Sequence, residues 1–338
     1  MKKYNKILVV RLSSIGDVLL TTPVLEILDR FYPEADISYL VESKSVGIIE
    51  NNDYIENTII FDKDQLKEIY QKEGLISAVK SIWQFIKGIK ARNFDLVLDL
   101  HSVFRSTIFS FFASSRESIG YNKQLSSLLY TKKVNPQEDI HVVDEYLKLL
   151  KPLGINVKQV NHEIKFSIAT SEQDMKYVEG LLEKYNLKNK KLFIINPSTS
   201  IPEKNWNEKS FTRVGDWINS KTEAKIILIG SKEDYEKAER IKKNIDNAAL
   251  NLAGQTNLKE LTVLISKAEM LLTGDTAALH IGMTVGTPLV SLFGPTSPKR
   301  YGPYKGDNIV IESMEDDIDK IPVCDVIRGI KKILNEQN

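Results

Sequence analysis

The sequence holds a single cysteine, Cys324. A disulfide framework and a cysteine-based zinc site are therefore both excluded within the chain. One thiol fits a reducing compartment such as a cytoplasm. Long apolar runs are missing too. The run Ile7–Val10 is four residues long and stops at Arg11. A secretory core needs about 7–15 apolar residues and a membrane span about 20, so neither is expected. The reading is a soluble, unexported protein that can still touch a membrane surface. Charge of one sign is not in excess: 46 Lys+Arg against 45 Asp+Glu leave a net charge of +1. The strongly basic surface of a nucleic-acid binder is absent, and no nucleic-acid partner is expected. Histidine is scarce. His101, His141, His162 and His280 are all there are, and none has the H-E-x-x-H spacing of a zinc helix. The GxGxxG and GxxxxGK[ST] fingerprints are also absent, which argues against a nicotinamide dehydrogenase and a phosphate-loop enzyme.

What is present is ordinary globular material, 42% apolar and 27% charged. With 338 residues the chain exceeds one ordinary core and fits two domains of roughly 150 residues each. Short β-branched runs alternate with amphipathic stretches. Strand-like runs occupy 6–11, 36–41, 58–61 and 95–100, and residues 18–31 place Leu20, Val24, Ile27, Leu28 and Phe31 at helical spacing. The pattern restarts with strand-like runs at 191–196, 225–230, 249–252, 270–274 and 288–293. Helix candidates at 208–220, 233–244, 258–267 and 277–285 fall between them. Such alternation implies βαβ units and parallel sheets covered on both faces. Between the halves, 163–166 reads as a strand and 171–185 as a charged amphipathic helix. The expected division is therefore 1–165, a connector over 166–190, 191–322, and a terminal helical segment over 323–338 able to pack on either half. Two doubly wound halves make a cleft, and ligands bind at the carboxyl ends of the strands.

Loop motifs sit at those ends. Residues 11–17, RLSSIGD, follow the first strand and open a helix. Asp17 there is either a helix cap, as Asp and Ser often are, or a carboxylate able to take a proton from a hydroxyl. Residues 273–280, TGDTAALH, repeat the strand–Gly–helix arrangement. Gly274 permits close backbone approach, and the N–H groups that follow it can bind an anion. Thr276 and His280 share a helix face, although a lone helical histidine also packs as core. Residues 196–206, NPSTSIPEKNW, offer hydroxyls and then Lys204, a solvated cation or a phosphate ligand. In LIGSKED, Glu233 is either an acidic first-turn residue or a partner for ribose hydroxyls. After the strand near 100, His101 could line a pocket and Arg105 bind an anionic acceptor. Basic Arg116, Lys123, Lys132 and Lys133 interleave with apolar residues over 109–130, either as a solvated face or as a surface meeting a lipid-anchored acceptor. The pair Asp62 and Asp64 could hold a divalent metal, but it precedes a long charged helical stretch over 65–90, and capping is the better reading.

In this order the blocks RLSSIGDVLLTTPVL, DLVLDLHSVFRS, NPSTSIPEKNW, LIGSKED and TGDTAALHIGMTVGTPLVSLFGPT resemble the ADP-heptose:lipopolysaccharide heptosyltransferases of glycosyltransferase family 9. The resemblance runs from Lys6 to about Leu334. It implies a GT-B fold, two Rossmann-like α/β domains facing across a cleft. The first would bind the Kdo or heptose acceptor and the second the donor, ADP-L-glycero-β-D-manno-heptose. Transfer would invert the anomeric centre without a metal, and no cofactor is implied. Asp17 matches the general base, its pKa raised by partial burial, and Lys204 the cation on the departing diphosphate. Ser198, Thr199, Glu233, Gly274, Asp275, Thr276 and His280 match donor-binding positions. Ser14, Gly16, His101, Arg105 and Ser106 fall on the acceptor side. The family often carries Gln where this chain has His101, and Gly or Pro where it has Ala277. Two alternatives stay open: a GT-B transferase for another nucleotide-sugar or glycan, and a catalytically silent nucleotide-binding assembly protein.

Overall fold

The structure is a computed structural model describing residues 2–113, 116–123, 125–157, 164–245 and 249–336. It divides into two compact units, Met1–Ala169 and Thr170–Asn338. In the first, strands β1 (Lys6–Val10), β2 (Asp36–Glu42), β3 (Asn57–Phe61), β4 (Leu96–Asp99), β5 (Glu117–Tyr121) and β6 (Lys132–Val134) form one sheet in the order β3-β2-β1-β4-β5-β6. Its adjacent strands pair parallel, with Ile7 opposite both Ile37 and Leu96. In the second, β7 (Leu192–Asn196), β8 (Lys225–Leu228), β9 (Ala249–Asn251), β10 (Met270–Gly274), β11 (Leu289–Phe293) and β12 (Asn308–Glu312) run β12-β11-β10-β7-β8-β9, again parallel. Counted from each unit's own first strand, the two orders are the same doubly wound topology. Each reverses direction between its first and fourth strands, β1/β4 and β7/β10. That switch point is where open α/β sheets bind ligands.

The central strands are hydrophobic along their length because both faces are covered. Every residue of β4, β7, β10 and β11 is buried. In the first unit Leu8, Val10, Val97 and Leu40 pack with Ile86, Ile89 and Phe109 from the helices Leu75–Lys90 and Phe104–Phe112. In the second, Phe193, Ile195, Leu228 and Leu272 pack with Trp206, Phe211, Val214 and Ile241. The terminal helix, Val323–Glu336, joins this second core through Val326, Ile330 and Ile333.

Several elements differ from the expected ones. The helix over 18–31 is two helices, Ile15–Leu20 and Thr22–Phe31. Pro23 has no N–H to donate, and the hydroxyls of Thr21 and Thr22 take the carbonyls of Val18 (2.7 Å) and Leu19 (2.8 Å) instead. The stretch over 65–90 is likewise broken, by Gly74 at φ 87°, into Lys63–Glu73 and Leu75–Lys90. Asp62 caps the first of these by accepting from the Gln65 N–H at 2.9 Å, and the exposed Asp64 pairs with Lys44 at 3.0 Å. Residues 164–166 form no strand, and Glu163 and His162 lie outside the described residues. Among the described residues no helix is long and apolar enough to cross a membrane.

Candidate active site

Each unit carries a polar cluster at its own switch point, and each is built by the loops after the first and fourth strands. In the first unit the loop after β1 brings Asp17 into the first turn of the helix Ile15–Leu20. One carboxylate oxygen accepts from the Ser14 N–H at 3.3 Å and the Ser14 hydroxyl at 2.9 Å, so Asp17 does cap its own helix. The same oxygen lies 2.7 Å from the Arg11 guanidinium. The other accepts from the Tyr146 hydroxyl at 2.9 Å, across 129 residues of sequence. Arg11 also donates to the Leu100 carbonyl at 3.1 Å and lies 5.3 Å from the centre of the Tyr146 ring, tying the ends of β1 and β4 together.

Burial acts to raise the Asp17 pKa, as the sequence reading expected. The Arg11 charge and the hydrogen bonds from Tyr146 and Ser14 outweigh it and hold the carboxyl down at about 2. The expected upward shift is thus overturned: the carboxylate is ionised at neutral pH and weakly basic. Gly16, beside it, is buried, and Ser14 is exposed.

The loop after β4 is organised by Asp99. Its buried carboxylate accepts from the N–H groups of His101 (3.0 Å) and Ser102 (2.8 Å) and from the hydroxyls of Tyr130 (2.7 Å) and Ser110 (3.1 Å). Burial pushes the Asp99 pKa up despite these bonds. This holds His101 at the strand end with its Nδ1 buried and without a hydrogen-bond partner. Burial, assisted by the charge of Arg11, lowers the His101 pKa to about 3, so the imidazole is neutral at pH 7. Arg105 is not an open anion site: it pairs with Glu42 at 2.5 Å and lies over the Phe61 ring. Ser106 is wholly buried, its hydroxyl engaged with the backbone of Val103.

In the second unit the loop after β7 carries Ser198, Thr199 and Lys204, and the loop after β10 carries Gly274, Asp275 and Thr276. Lys204 lies 2.6 Å from Asp275, and both side chains are largely buried. Thr296 donates to the same Asp275 oxygen at 2.9 Å. Asn196 donates to Thr273 at 3.3 Å and to Thr276 at 3.1 Å, fixing the threonines at the start of the helix Ala277–Val285. The Thr276 side chain makes no cap bond to that helix, so the positive end of its dipole is not neutralised by the capping residue. Gly274 permits close approach: a Cβ there would crowd Thr199 Cγ2 at 3.3 Å, while the Lys204 carbonyl at 3.5 Å would be in ordinary contact. The Ser198 hydroxyl is buried without a hydrogen-bond partner. Lys237, from the helix Tyr235–Asn244, donates to the Pro197 carbonyl at 2.6 Å and steadies the Ser198 loop. His280 is buried. Glu233 is exposed in the turn after β8, where Asp234 makes the capping bonds to Ser231. An open cavity of about 540 Å³ involves Lys191, Ala224 and Glu269, which precede β7, β8 and β10; it lies at the amino ends of these strands, opposite the switch-point loops.

Sequence reasoning reached Asp17, Lys204 and the Gly274 turn through their places after strands. It did not single out Tyr146 or Glu42, which arrive from distant segments without a local signal, nor the roles of Asn196 and Thr296, which lie inside the quoted blocks.

The model of glycosyltransferase family 9 (heptosyltransferase) matches residues 82–321. The lipopolysaccharide core heptosyltransferase OpsX of Haemophilus influenzae is 28% identical over 309 residues, 89% of this chain and 83% of that protein. Lipopolysaccharide heptosyltransferase 3 of Escherichia coli is 26% identical over 95% of this chain and 96% of its own. Among solved structures, a family 9 glycosyltransferase from Veillonella parvula superposes with a TM-score of 0.87 at 24% identity, covering 99% of this chain and 98% of that one. The E. coli ADP-heptose lps heptosyltransferase II does so with 0.80 at 19% identity, covering 98% and 99%. At these identities the superpositions establish the fold, which is GT-B.

Proposed function

Because the chain belongs to glycosyltransferase family 9, the heptosyltransferases, we propose that it moves a heptose from ADP-L-glycero-β-D-manno-heptose to the inner core of lipopolysaccharide, inverting the anomeric centre without a metal. The observation that carries this reading is the Lys204–Asp275 pair, 2.6 Å apart beside the start of the helix Ala277–Val285. A cation, a glycine turn and a helix N-terminus at a switch point suit a diphosphate. Until the donor arrives, the Asp275 carboxylate takes the place of that negative charge.

Transfer is a single displacement. The acceptor hydroxyl oxygen attacks the anomeric carbon while the bond from that carbon to the diphosphate oxygen breaks. Electrons of the broken bond leave with ADP, whose added charge meets Lys204 and the N–H groups of Gly274, Asp275 and Thr276. The hydroxyl proton passes to Asp17. A carboxylate with a pKa near 2 suits a late proton transfer: the attacking oxygen becomes strongly acidic as its bond to carbon forms, so a weak but fully ionised base suffices. Ser198, Thr199 and His280 line the diphosphate side, Glu233 meets the ribose, and Ser14, Gly16 and His101 border the acceptor. We place the enzyme in the cytoplasm, in peripheral contact with the membrane that holds its lipid-anchored acceptor.

A thermal-shift panel of ADP, UDP, GDP, CMP and TDP, with and without EDTA, tests the site on wild type and Lys204→Ala. Stabilisation by ADP alone, indifferent to EDTA and lost in the variant, supports the proposal. A preference for another nucleotide moves the donor away from ADP-heptose, and no binding by any nucleotide favours a silent assembly protein.

A further inference from the structure

Three neighbouring elements of the first unit leave large apolar side chains in solvent. The helix Leu75–Lys90 exposes Ile76 (85%), Val79 (55%) and Trp83 (49%). Their spacings of three and four residues put them on one stripe. This helix already supplies Ala78, Ile86 and Ile89 to the core from its other flank, so the stripe is apolar surface beyond what packing uses. Beside it the helix Phe104–Phe112 exposes Phe111, and the Phe112 ring stands 5.8 Å from that of Trp83. The turn Leu125–Leu129 packs on that helix and exposes Leu125 (84%) and Leu128 (66%). Scattered exposed apolar residues need no explanation; a run across three adjacent elements does.

Charge selects the occupant. The helix Leu75–Lys90 contains no acidic residue, and its lysines Lys80, Lys87 and Lys90 are all exposed. Lys80 and Lys87 are two turns apart and flank the apolar stripe on one side. Among the described residues none of the three makes an ion pair. A cationic border beside an apolar stripe matches the interfacial zone of a bilayer. The stripe enters the acyl boundary there and the ammonium groups reach lipid phosphates. A two-fold pairing of two such faces would instead set lysine against lysine.

We infer that this face docks the enzyme on an anionic lipid bilayer, with Ile76, Val79 and Trp83 entering the interface and Lys80 and Lys87 on the headgroups. The inference rests on the reading above that the acceptor is lipid-anchored. It adds the helix Leu75–Lys90 to the segment over 109–130 singled out in the sequence, whose Phe111, Leu125 and Leu128 lie on the neighbouring elements.

The test is co-sedimentation of the full chain with vesicles of phosphatidylcholine alone or mixed with phosphatidylglycerol. Wild type is expected to bind the mixed vesicles and to be released by salt. Ile76→Glu with Val79→Glu should weaken binding by at least about tenfold. Lys80→Glu with Lys87→Glu should lose only the phosphatidylglycerol-dependent part. All these positions are exposed, and unchanged circular dichroism together with unchanged ADP stabilisation shows that the variants fold. Wild type indifferent to anionic vesicles, or an Ile76/Val79 variant that binds like wild type, overturns the proposal. So does a concentration-dependent dimer in light scattering that the same variant abolishes, since the face would then belong to a second copy. Sedimentation is read without turnover, so a wrong donor leaves it standing; a wrong docking face leaves the ADP response standing.

Discussion

Arg11 holds Asp17 in an ion pair of 2.7 Å while Tyr146 binds the other carboxylate oxygen at 2.9 Å. The residue proposed as base is thus clamped from two sides before any substrate binds. Its folded pKa, about 2, lies below the ordinary carboxylate value. The ionised form is therefore favoured by folding. The associated stability is present above the unfolded pKa of about 4 and lost as pH falls toward 2. In wild type the acid limb of kcat/KM that belongs to Asp17 should lie below the usable pH range. Arg11→Met removes the countercharge but leaves the burial, so that limb should rise above about pH 4. A pH–rate profile of both proteins checks this, and a limb that stays with wild type would show that Arg11 does not set the base.

Tyr146→Phe removes a buried hydrogen bond to a charged group. Its expected cost is about 2 kcal/mol, read as a lower Tm. Because Tyr146 orients Asp17 and lies in the other unit from the cluster proposed to hold the nucleotide, kcat should fall about tenfold while ADP stabilisation stays as in wild type. Steady-state kinetics beside a thermal-shift titration separate the two.

Gly274→Ala places a methyl group 3.3 Å from Thr199 Cγ2 and 3.5 Å from the Lys204 carbonyl. The two loops must part by a few tenths of an ångström, so the fold should survive with a loss of about 1 kcal/mol. Donor KM should rise severalfold with a smaller change in kcat. A KM equal to that of wild type would mean the donor does not use this turn.

Asp99 separates charge from hydrogen bonding. Asp99→Ala orphans the His101 and Ser102 N–H groups, while the hydroxyls of Ser110 and Tyr130 keep the Ser106 carbonyl and the Thr107 hydroxyl as partners, and it should cost about 3 kcal/mol. Asp99→Asn retains an acceptor for the N–H groups and removes a carboxyl that burial already disfavours as an anion. Above the ordinary carboxylate pKa the asparagine variant should match or exceed wild type in Tm, because folding then no longer has to desolvate a charge. Melting curves at pH 5 and pH 8 make the comparison.

The sequence was most legible where local chemistry acts alone. β4, β7, β10 and β11 announce themselves as short apolar runs, and the turns carrying Asp17, Lys204 and Gly274 follow such runs directly. β5 and β6 were hidden because Glu117, Lys132 and Lys133 break the apolar pattern; Glu117 is buried there paired with Lys2 and Lys132 and hydrogen-bonded to Tyr4. Pro23 was visible in the sequence, but its break is completed by Thr21 and Thr22, a local bond that periodicity does not register. The direction of the Asp17 shift could not be read at all. It depends on Tyr146, brought in from far along the chain, and on whether a neighbouring arginine folds toward the carboxylate or away from it. Arg105 makes the same point, since its partner Glu42 ends a strand on the other side of β1.

The Trp206 indole N–H donates to the Ile321 carbonyl at 3.2 Å, and the helix after that carbonyl lies in the same core as Trp206. Trp206 follows Lys204 by two residues. The segment leading into Val323–Glu336 is therefore a brace for the turn that presents the lysine. Deleting that helix, or fusing a tag that pulls it away, would slacken Lys204 from behind, so a truncated protein is expected to keep its sheets while losing the binding proposed for that lysine.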